Sequence, residues 1–331
     1  MMTRLISGRR LAATFRTLLA PLAIAALTAS GSAVSAAPLE EIVVTATKRD
    51  ESLQEVPAAI TAFTTSDIER NRITRPADFI ELTPGVVLSD SNHPGEALIT
   101  IRGTAQTRNT ETPVAVVVDG VLLTGRTAFN GELFDISQIE VLKGPQGYLY
   151  GRNAIGGAIV IQTRRPENEW QRSVTVGYGN YNHARARFSA GGALIEDELF
   201  LQFSGSVRDR DGFYQNITRG EDMDPLTEKV GRARLIWEPK GTNFTADFRI
   251  SATDVDASST NFRPQTEFAA LQSNPASSIL DINRVEEIPF VRNVESTAKQ
   301  EKQSYALKLD YDAAFGSFTS VTTYDNTLDV F

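Results

Sequence analysis

The chain of 331 residues contains no cysteine, so neither a disulfide nor a thiolate metal site contributes to its fold or chemistry. Its only two histidines, His93 and His183, lie far apart in sequence and predict no metal site of the protein's own. The formal net charge of -8 lacks the basic excess that binding to phosphates requires. We therefore expect no resident metal and no nucleic-acid partner.

Long apolar runs are also missing, with one short exception near the amino terminus. The run LLAPLAIAAL follows several arginines and precedes small residues up to Ala37, the pattern of a secretory signal peptide. It spans about ten residues, whereas a helix needs roughly 20 to cross a bilayer. We predict a signal peptide over residues 1–36 and a mature chain beginning near Ala37 or Pro38. Any insertion into a membrane must then use β-strands.

The sequence changes character near Trp170, which predicts two domains. Before Trp170, short helices alternate with strands: Ser66 or Asp67 can cap a helix ending at Arg72, and Pro76 suits the first turn of a second helix. The segments ALITIR, VAVVVD, IEVLK and AIVIQT are rich in β-branched residues and predict strands. This part therefore indicates a small mixed α/β domain.

After Trp170 the pattern is alternation with a period of two. In the segment from Leu199 to Arg208 apolar side chains alternate with polar ones, and the segments around Leu235, Phe248 and Leu307 repeat the pattern. Segments of about ten residues, apolar outside and polar inside, are typical of transmembrane barrel strands. A soluble β-sandwich also has alternating strands. The signal peptide favours the barrel.

Five motifs occur in an order that resembles the TonB-dependent outer-membrane receptors. EIVVTATKR at Glu41 to Arg49 resembles the TonB box; ELTPGV, ITIRG and VVVDGV, within residues 81–121, resemble successive plug motifs; and residues 139–166, IEVLKGPQGYLYGRNAIGGAIVIQTRRP, resemble the end of the plug. The resemblance implies an α+β plug domain followed by antiparallel transmembrane β-barrel strands, part of a 22-stranded barrel. The implied domains are a signal peptide (1–36), a TonB-box segment (37–50), a plug (51–168) and the first part of the barrel (169–331).

The resemblance also implies function and partners. The box residues Glu41, Ile42, Val43, Val44, Thr45 and Ala46 would lie extended and unpaired and add as a strand to TonB in the periplasm. The chain would lie in the outer membrane of a Gram-negative bacterium, in contact with lipid, and import a scarce ligand. A ferric siderophore is the leading candidate, and a saccharide, cobalamin or aromatic compound is the alternative. No cofactor is expected, because iron would travel inside the transported chelate.

The connections fit such a barrel, although the barrel is incomplete. Gly179 to Asn182 and Glu238 to Thr242 predict tight periplasmic turns, and Asp254 to Gln300 predicts a long extracellular loop. About six or seven strands follow Gln171, and a barrel of about eight strands is filled by its own side chains and leaves no room for a plug. Polar residues stand in register behind the final Phe331, unlike at a true barrel end. We therefore expect the amino-terminal portion of a longer receptor, with a non-functional truncated fragment as the alternative.

Glycines and arginines of the plug predict how it packs against the barrel. Gly144, Gly147, Gly151, Gly156 and Gly157 lack the Lys-Ser or Lys-Thr of a phosphate loop, so we assign them to tight turns and close packing against the barrel wall. By the resemblance, Arg102 and Arg152 pair with carboxylates of the barrel interior. Tyr148 departs from the small or hydroxylated residue expected after Gly147.

Ligand contacts are expected from three plug loops, residues 89–96, 104–112 and 124–131. Arg108, Arg126 and Phe129 offer two cations and an aromatic ring to an anionic or aromatic chelate, although exposed arginines are often only solvated. A signalling receptor would need a domain before the box, for which the short gap leaves no room. A hydrolase is disfavoured because no G-x-S-x-G elbow or zinc motif occurs, so we predict that the protein is not an enzyme.

Overall fold

A computed structural model of the protein describes residues 42–49, 51–90, 96–106, 110–123, 129–216, 218–258 and 297–330. The predicted signal peptide, Glu41, His93, Arg108, Arg126 and Phe331 lie outside the described residues. No helix in the described ranges is long and apolar enough to cross a membrane.

The part of the chain before Trp170 folds as a mixed domain, which we call the plug. Its elements in chain order are β1 (Val43–Val44), β2 (Glu51–Ser52), β3 (Ala59–Thr64), α1 (Thr65–Arg70), α2 (Pro76–Glu81), β4 (Val86–Asp90), β5 (Ala97–Ile101), β6 (Thr104–Ala105), β7 (Val114–Val118), β8 (Val121–Leu122), β9 (Ile136–Lys143), α3 (Gly147–Tyr150) and β10 (Gly157–Thr163). The central sheet has the order β3-β9-β10-β7-β8, and β4-β5-β6 form a second sheet. The four strands predicted from β-branched segments are all present.

Both predicted plug helices form, with one difference in capping. The N-cap of α1 is Thr64, whose hydroxyl accepts the amide N–H of Asp67, so the prediction of a cap at Ser66 or Asp67 is wrong. Asp67 takes the third helical position and its carboxylate accepts the amide of Thr64, which completes a capping box. Pro76 stands in the first turn of α2 as predicted. The apolar faces of both sheets and of α2 share one core around Phe79, Ile99, Val141 and Ile159.

After the plug, long antiparallel strands form a single sheet, which we call the wall. They are β11 (Gln171–Tyr178), β12 (Ala184–Ile195), β13 (Leu199–Arg210), β16 (Leu226–Trp237), β17 (Phe244–Ala257), β18 (Ala298–Ala313) and β19 (Gly316–Val330), and they pair in that order. A short hairpin, β14 (Tyr214–Asn216) and β15 (Glu221–Met223), lies between β13 and β16. In β13 the side chains of Phe203 and Val207 are exposed, whereas those of Ser204 and Arg208 are buried. The predicted alternation is therefore confirmed, and the seven strands do not close on themselves.

The order of the strands bears on two predictions about connections. Because neighbouring strands are antiparallel, the turn at residues 179–183 lies at the same end of the wall as the connections 211–225 and 258–297. The turns at 196–198, 238–243 and 314–315 lie at the opposite end. The prediction that Gly179 to Asn182 is a periplasmic turn therefore conflicts with the prediction that the long connection is extracellular, because the two lie at the same end of the wall. The long connection is also shorter than predicted, because Asp254 pairs with Glu301 and the ladder continues to Ala257 and Ala298.

Candidate functional site

The predicted TonB-box segment is docked on the plug rather than free. Val43 and Val44 pair with Ser52 and Glu51, so the prediction of an unpaired segment is wrong. Val44 and Ala46 have no exposed surface. The segment is therefore sequestered in this state, and a partner strand would first have to displace it.

A buried carboxylate holds the end of this segment. Glu140, which has no exposed surface, accepts the amide N–H of Thr45 at 3.0 Å through Oε1 and that of Ala46 at 2.7 Å through Oε2. An ionised carboxylate can be buried only when hydrogen bonds replace its water. The contact therefore supports both the burial of Glu140 and the position of the segment.

Strand geometry explains why Glu140 reaches the segment. Gln138 lies two positions before Glu140 on β9, on the same face of the sheet, and donates to the carbonyl of Val43 at 2.8 Å. On the neighbouring strand Gln162 stands opposite Gln138 and donates to Thr45 Oγ1. One polar patch on two adjacent strands thus faces the docked segment.

The short helix α3 supplies a fourth contact. The hydroxyl of Tyr150 donates to the carbonyl of Ala46 at 2.6 Å. Burial, and then the charge of Glu140, raise the pKa of the Tyr150 phenol, which keeps it protonated as a donor. Tyr148, whose packing the sequence left in doubt, is 82% exposed and takes no part in this contact.

The five predicted glycines differ in their surroundings: Gly156 and Gly157 are buried, whereas Gly147 and Gly151 are exposed. At Gly157, where φ is +155°, a Cβ would lie 2.2 Å from the carbonyl oxygen of Leu142 on β9. Gly144 and Gly151 adopt φ values of +119° and +72°, which favour glycine. Gly147 has open space at its Cβ position, and Gly156 faces the plug residues Thr104 and Pro113. The atoms nearest to Gly144, Gly156 and Gly157 are those of plug residues, and for none of the five glycines is an atom of the described wall among those nearest to its Cβ position.

Charged contacts between plug and wall run in the direction opposite to the prediction. Arginines of the wall bind carboxylates of the plug: Arg187 pairs with Glu132, and Arg249 Nη1 lies 3.8 Å from the Asp119 carboxylate and donates to the Asp119 backbone carbonyl at 2.7 Å. Of the two predicted plug arginines, Arg152 lies 3.7 Å from Glu111, another plug residue. The other, Arg102, has its Nη1 beside Gly144.

Asp135 adds a hydrogen bond between a plug carboxylate and a wall amide to this interface. Its carboxylate accepts from Gln202 of the wall at 2.6 Å. Burial raises the pKa of Asp135, although hydrogen bonds and Arg164 oppose the shift. The guanidinium of Arg232 lies over the ring of Phe134, with 4.2 Å between its Cζ and the ring centroid. The contacts between plug and wall thus include ion pairs, hydrogen bonds and a cation–π contact.

A cavity of about 740 Å³ lies between plug and wall. It is lined by both apolar and charged side chains, among them Glu96, His183, Arg208, Arg210 and Tyr305. Phe129 was predicted to contact ligand from an exposed loop, but it is 91% buried in the plug core. Its ring is edge-on to that of Phe79, with 6.4 Å between the ring centroids, and Phe129 also lines the cavity. Among the described residues no group of three or more acidic or histidine side chains could hold a metal ion.

Several residues of the site were missed by the sequence reasoning. Glu140, Gln138 and Gln162 stand within strands that otherwise read as apolar, and a charged residue in the middle of IEVLK was the available signal. Tyr150 and the plug acids Glu132 and Asp119 carried no comparable signal, because their partners lie 104, 55 and 130 residues away in sequence, respectively.

Three features together indicate a class of protein: the plug fold, the docked amino-terminal segment, and the wall with its exposed apolar face. They are the features of the plug and the first barrel strands of TonB-dependent outer-membrane receptors, and the chain carries the plug domain of that family. Residues 52–158 match the family model described as the TonB-dependent receptor plug domain.

Individual relatives agree with this assignment. The chain is 32% identical over 183 residues to a vitamin B12 transporter of Vibrio vulnificus, covering 54% of this chain and 29% of that protein. It is 25% identical over 213 residues to the pesticin receptor of Yersinia pestis, covering 63% and 32%. The fold matches the ferric yersiniabactin uptake receptor of Yersinia pestis with a TM-score of 0.71 at 19% identity, over 82% of this chain and 41% of that one. The chain thus spans about a third of the length of the curated relatives it matches.

Proposed function

We propose that this receptor imports a scarce ligand into the periplasm and draws the energy for import through its amino-terminal segment. The observation that supports this most directly is the docking of residues 43–46 on the plug by side chains of β9, β10 and α3. A docked segment can be exchanged between two states, held by the plug or bound by a partner.

The chemistry of the docked segment suits exchange with a strand-adding partner such as TonB. The plug satisfies four of its backbone groups, the carbonyls of Val43 and Ala46 and the amides of Thr45 and Ala46. A partner that adds the segment to the edge of its own sheet satisfies the same kinds of group with main-chain bonds. The same backbone groups are therefore hydrogen-bonded before and after exchange, so the free energies of the two states need not differ much.

The polar interface between plug and wall supports transport rather than permanent closure. Ion pairs such as Arg187 with Glu132 lose little when water replaces them, whereas an apolar interface of the same size would resist hydration. A plug held in this way can be rearranged by a pull on its amino-terminal segment. Arg102 and Arg152 remain candidates for contacts with strands beyond the seven described.

For the cargo we propose a ferric siderophore. The structural match to a receptor described as taking up ferric yersiniabactin supports this, and so does the charged cavity between plug and wall. The relative described as a vitamin B12 transporter keeps cobalamin as the alternative cargo, and saccharides or aromatic compounds remain further candidates. Arg108 and Arg126 remain proposed ligand contacts. Iron would enter as part of the cargo and not as a cofactor.

Uptake by cells tests energy coupling and cargo together. Cells that express the gene should accumulate a radiolabelled ferric siderophore, and deletion of residues 41–46 should abolish uptake while surface binding stays intact. The same cells without TonB should behave like the deletion variant. Uptake that survives the deletion would refute coupling through this segment, and accumulation of labelled cobalamin but no iron chelate would select the alternative cargo.

A further inference from the structure

Two arginines face each other across neighbouring wall strands near the end that carries the long connections. Arg185 on β12 is paired in register with Arg208 on β13, and both side chains are on the inner face. Side chains directly opposite in an antiparallel pair lie about 5 Å apart at Cβ, and like charges there are destabilising. The arrangement calls for a negative charge between or beside them.

The carboxylates nearby are already engaged and do not supply that charge in full. Glu228 accepts from Arg208 Nη2 at 2.5 Å. Asp224 accepts from Arg210 Nη2 at 3.1 Å, and the Arg210 guanidinium is held flat over the ring of Phe213, 3.6 Å from its centroid. Glu132 is bound by Arg187. Glu228 and Asp224 thus each bind one nitrogen of their arginine, whereas Glu132 is taken up by Nε and Nη2 of Arg187.

The nitrogens that remain are buried and lack a partner among the described residues. They are Nε of Arg185, Nε of Arg208 and Nη1 of Arg210, together with Nε2 of His183. Arg208 is itself 91% buried, and it lines the cavity between plug and wall together with Arg210 and His183. Buried donors without acceptors are rare in proteins, and a bound water or anion is one way in which they are satisfied.

His183 indicates that the local field is positive. Burial lowers the pKa of this histidine, and the charges of Arg208, Arg185 and Arg210 lower it further, against a smaller opposing effect of Glu132. The imidazole is therefore neutral near pH 7 and adds no charge of its own. It can donate to a bound anion or accept from it, according to its tautomer.

We propose that Arg208, Arg210 and His183, with Arg185 beside them, form a binding site for an anionic group of a soluble ligand, a carboxylate or phosphate. Arginine suits this role because its planar N–H groups match the oxygens of such groups. The site opens into the cavity at the end of the wall that carries the long connections. The proposal rests on the proposed function, since it gives the imported ligand a negative charge.

Anion titration of the purified chain, refolded in detergent, tests the site without TonB or an energy source. Citrate and inorganic phosphate would be titrated separately by calorimetry at constant ionic strength. We expect saturable binding of at least one probe to the unchanged protein. Arg208→Lys and Arg210→Lys each keep the charge and the carboxylate partner but lose an unpartnered N–H, and each should bind about tenfold more weakly.

The control is Arg172→Lys, a change at an exposed arginine of β11 that should leave the affinity unchanged. Absence of saturable binding to the unchanged protein would overturn the proposal. An affinity in both lysine variants equal to that of the unchanged protein would also overturn it, because only the general positive field would then matter. Arg210→Lys keeps the test available if Arg208→Lys, at the more buried position, fails to fold. A negative anion titration would not contradict energy coupling through the amino-terminal segment. Uptake that does not depend on residues 41–46 would not contradict the anion site.

Discussion

Replacing Glu140 by glutamine should release the docked amino-terminal segment without unfolding the plug. The carboxylate accepts two backbone amides, those of Thr45 and Ala46. Glutamine has nearly the same shape, but it offers one carbonyl oxygen and turns an NH₂ group toward the second amide. The change therefore weakens one hydrogen bond and removes another.

The size of the effect follows from the kind of hydrogen bond lost. Bonds to an ionised group contribute roughly 1.5–3 kcal/mol each and neutral ones roughly 0.5–1.5 kcal/mol. Losing one charged bond and neutralising the other should cost about 2–4 kcal/mol of docking free energy. The undocked population should then rise by roughly 30-fold to 1000-fold.

Thiol labelling can measure this population, because the chain has no cysteine of its own. A cysteine introduced in place of Val44, which is fully buried, reacts only when the segment undocks. Its labelling rate should rise with Glu140→Gln by the same factor as the undocked population.

Two controls separate undocking from other effects. A cysteine in place of Val114, buried in the plug core, should label at an unchanged slow rate. Glu69→Gln, at an exposed carboxylate on α1, should not alter labelling at position 44. If Glu140→Gln left the labelling of position 44 unchanged, the reasoning that Glu140 holds the segment would be refuted.

Three further changes should have graded effects. Tyr150→Phe removes one neutral hydrogen bond to the docked segment and should raise labelling at position 44 about 3-fold to 10-fold. Gly157→Ala places a Cβ within 2.2 Å of a backbone oxygen and should lower the midpoint of thermal unfolding of the plug, whereas Gly147→Ala, at an open position, should not. Leu235→Arg, on the exposed face of the wall, should cost about 2–4 kcal/mol of stability in lipid vesicles if it lies at the bilayer midplane.

Each of these has a result that would count against it. Unchanged labelling in Tyr150→Phe would mean that the phenol contributes nothing to docking. An alanine at position 157 as stable as the parent would show that β9 and β10 can move apart freely. A silent Leu235→Arg in denaturant unfolding from lipid would place this face of the wall outside the membrane interior.

Much of the architecture could be predicted from the sequence because it depends on local pattern. Alternation along the chain around Leu201 and Phe203 gave the two faces of the wall, and Pro76 gave the start of a helix. The side of the turn at Gly179 to Asn182 could not be predicted, because turn length carries no direction. Direction follows only from counting antiparallel strands, and the hairpin at 214–223 and the extension of β17 to Ala257 are hard to read from sequence.

The contacts that matter for function depend on residues distant in the chain. Glu140 lies more than ninety positions from the amides it binds, and Arg249 lies 130 positions from Asp119. Both pairs form because the fold brings a strand residue beside a turn or loop from another part of the chain, and the sequence of either partner alone gives no geometry. The sequence also could not show that Phe129 is buried, since it is an apolar residue in a stretch that otherwise reads as a polar loop.

The hydrogen bonds of the plug also set the order in which it would yield under tension. A pull on Val43 loads four side-chain hydrogen bonds first, and behind them the seven-residue ladder between β9 and β10. Beyond the ladder, Asp119 accepts the amide of Thr163 at 2.8 Å and is in turn held by Arg249 of the wall. The side-chain hydrogen bonds are the weakest contacts of this series, so they should break before the strands separate. Single-molecule pulling from residue 43 should therefore show a short, low-force release before any rupture of the sheet, and a single high-force event would contradict this order.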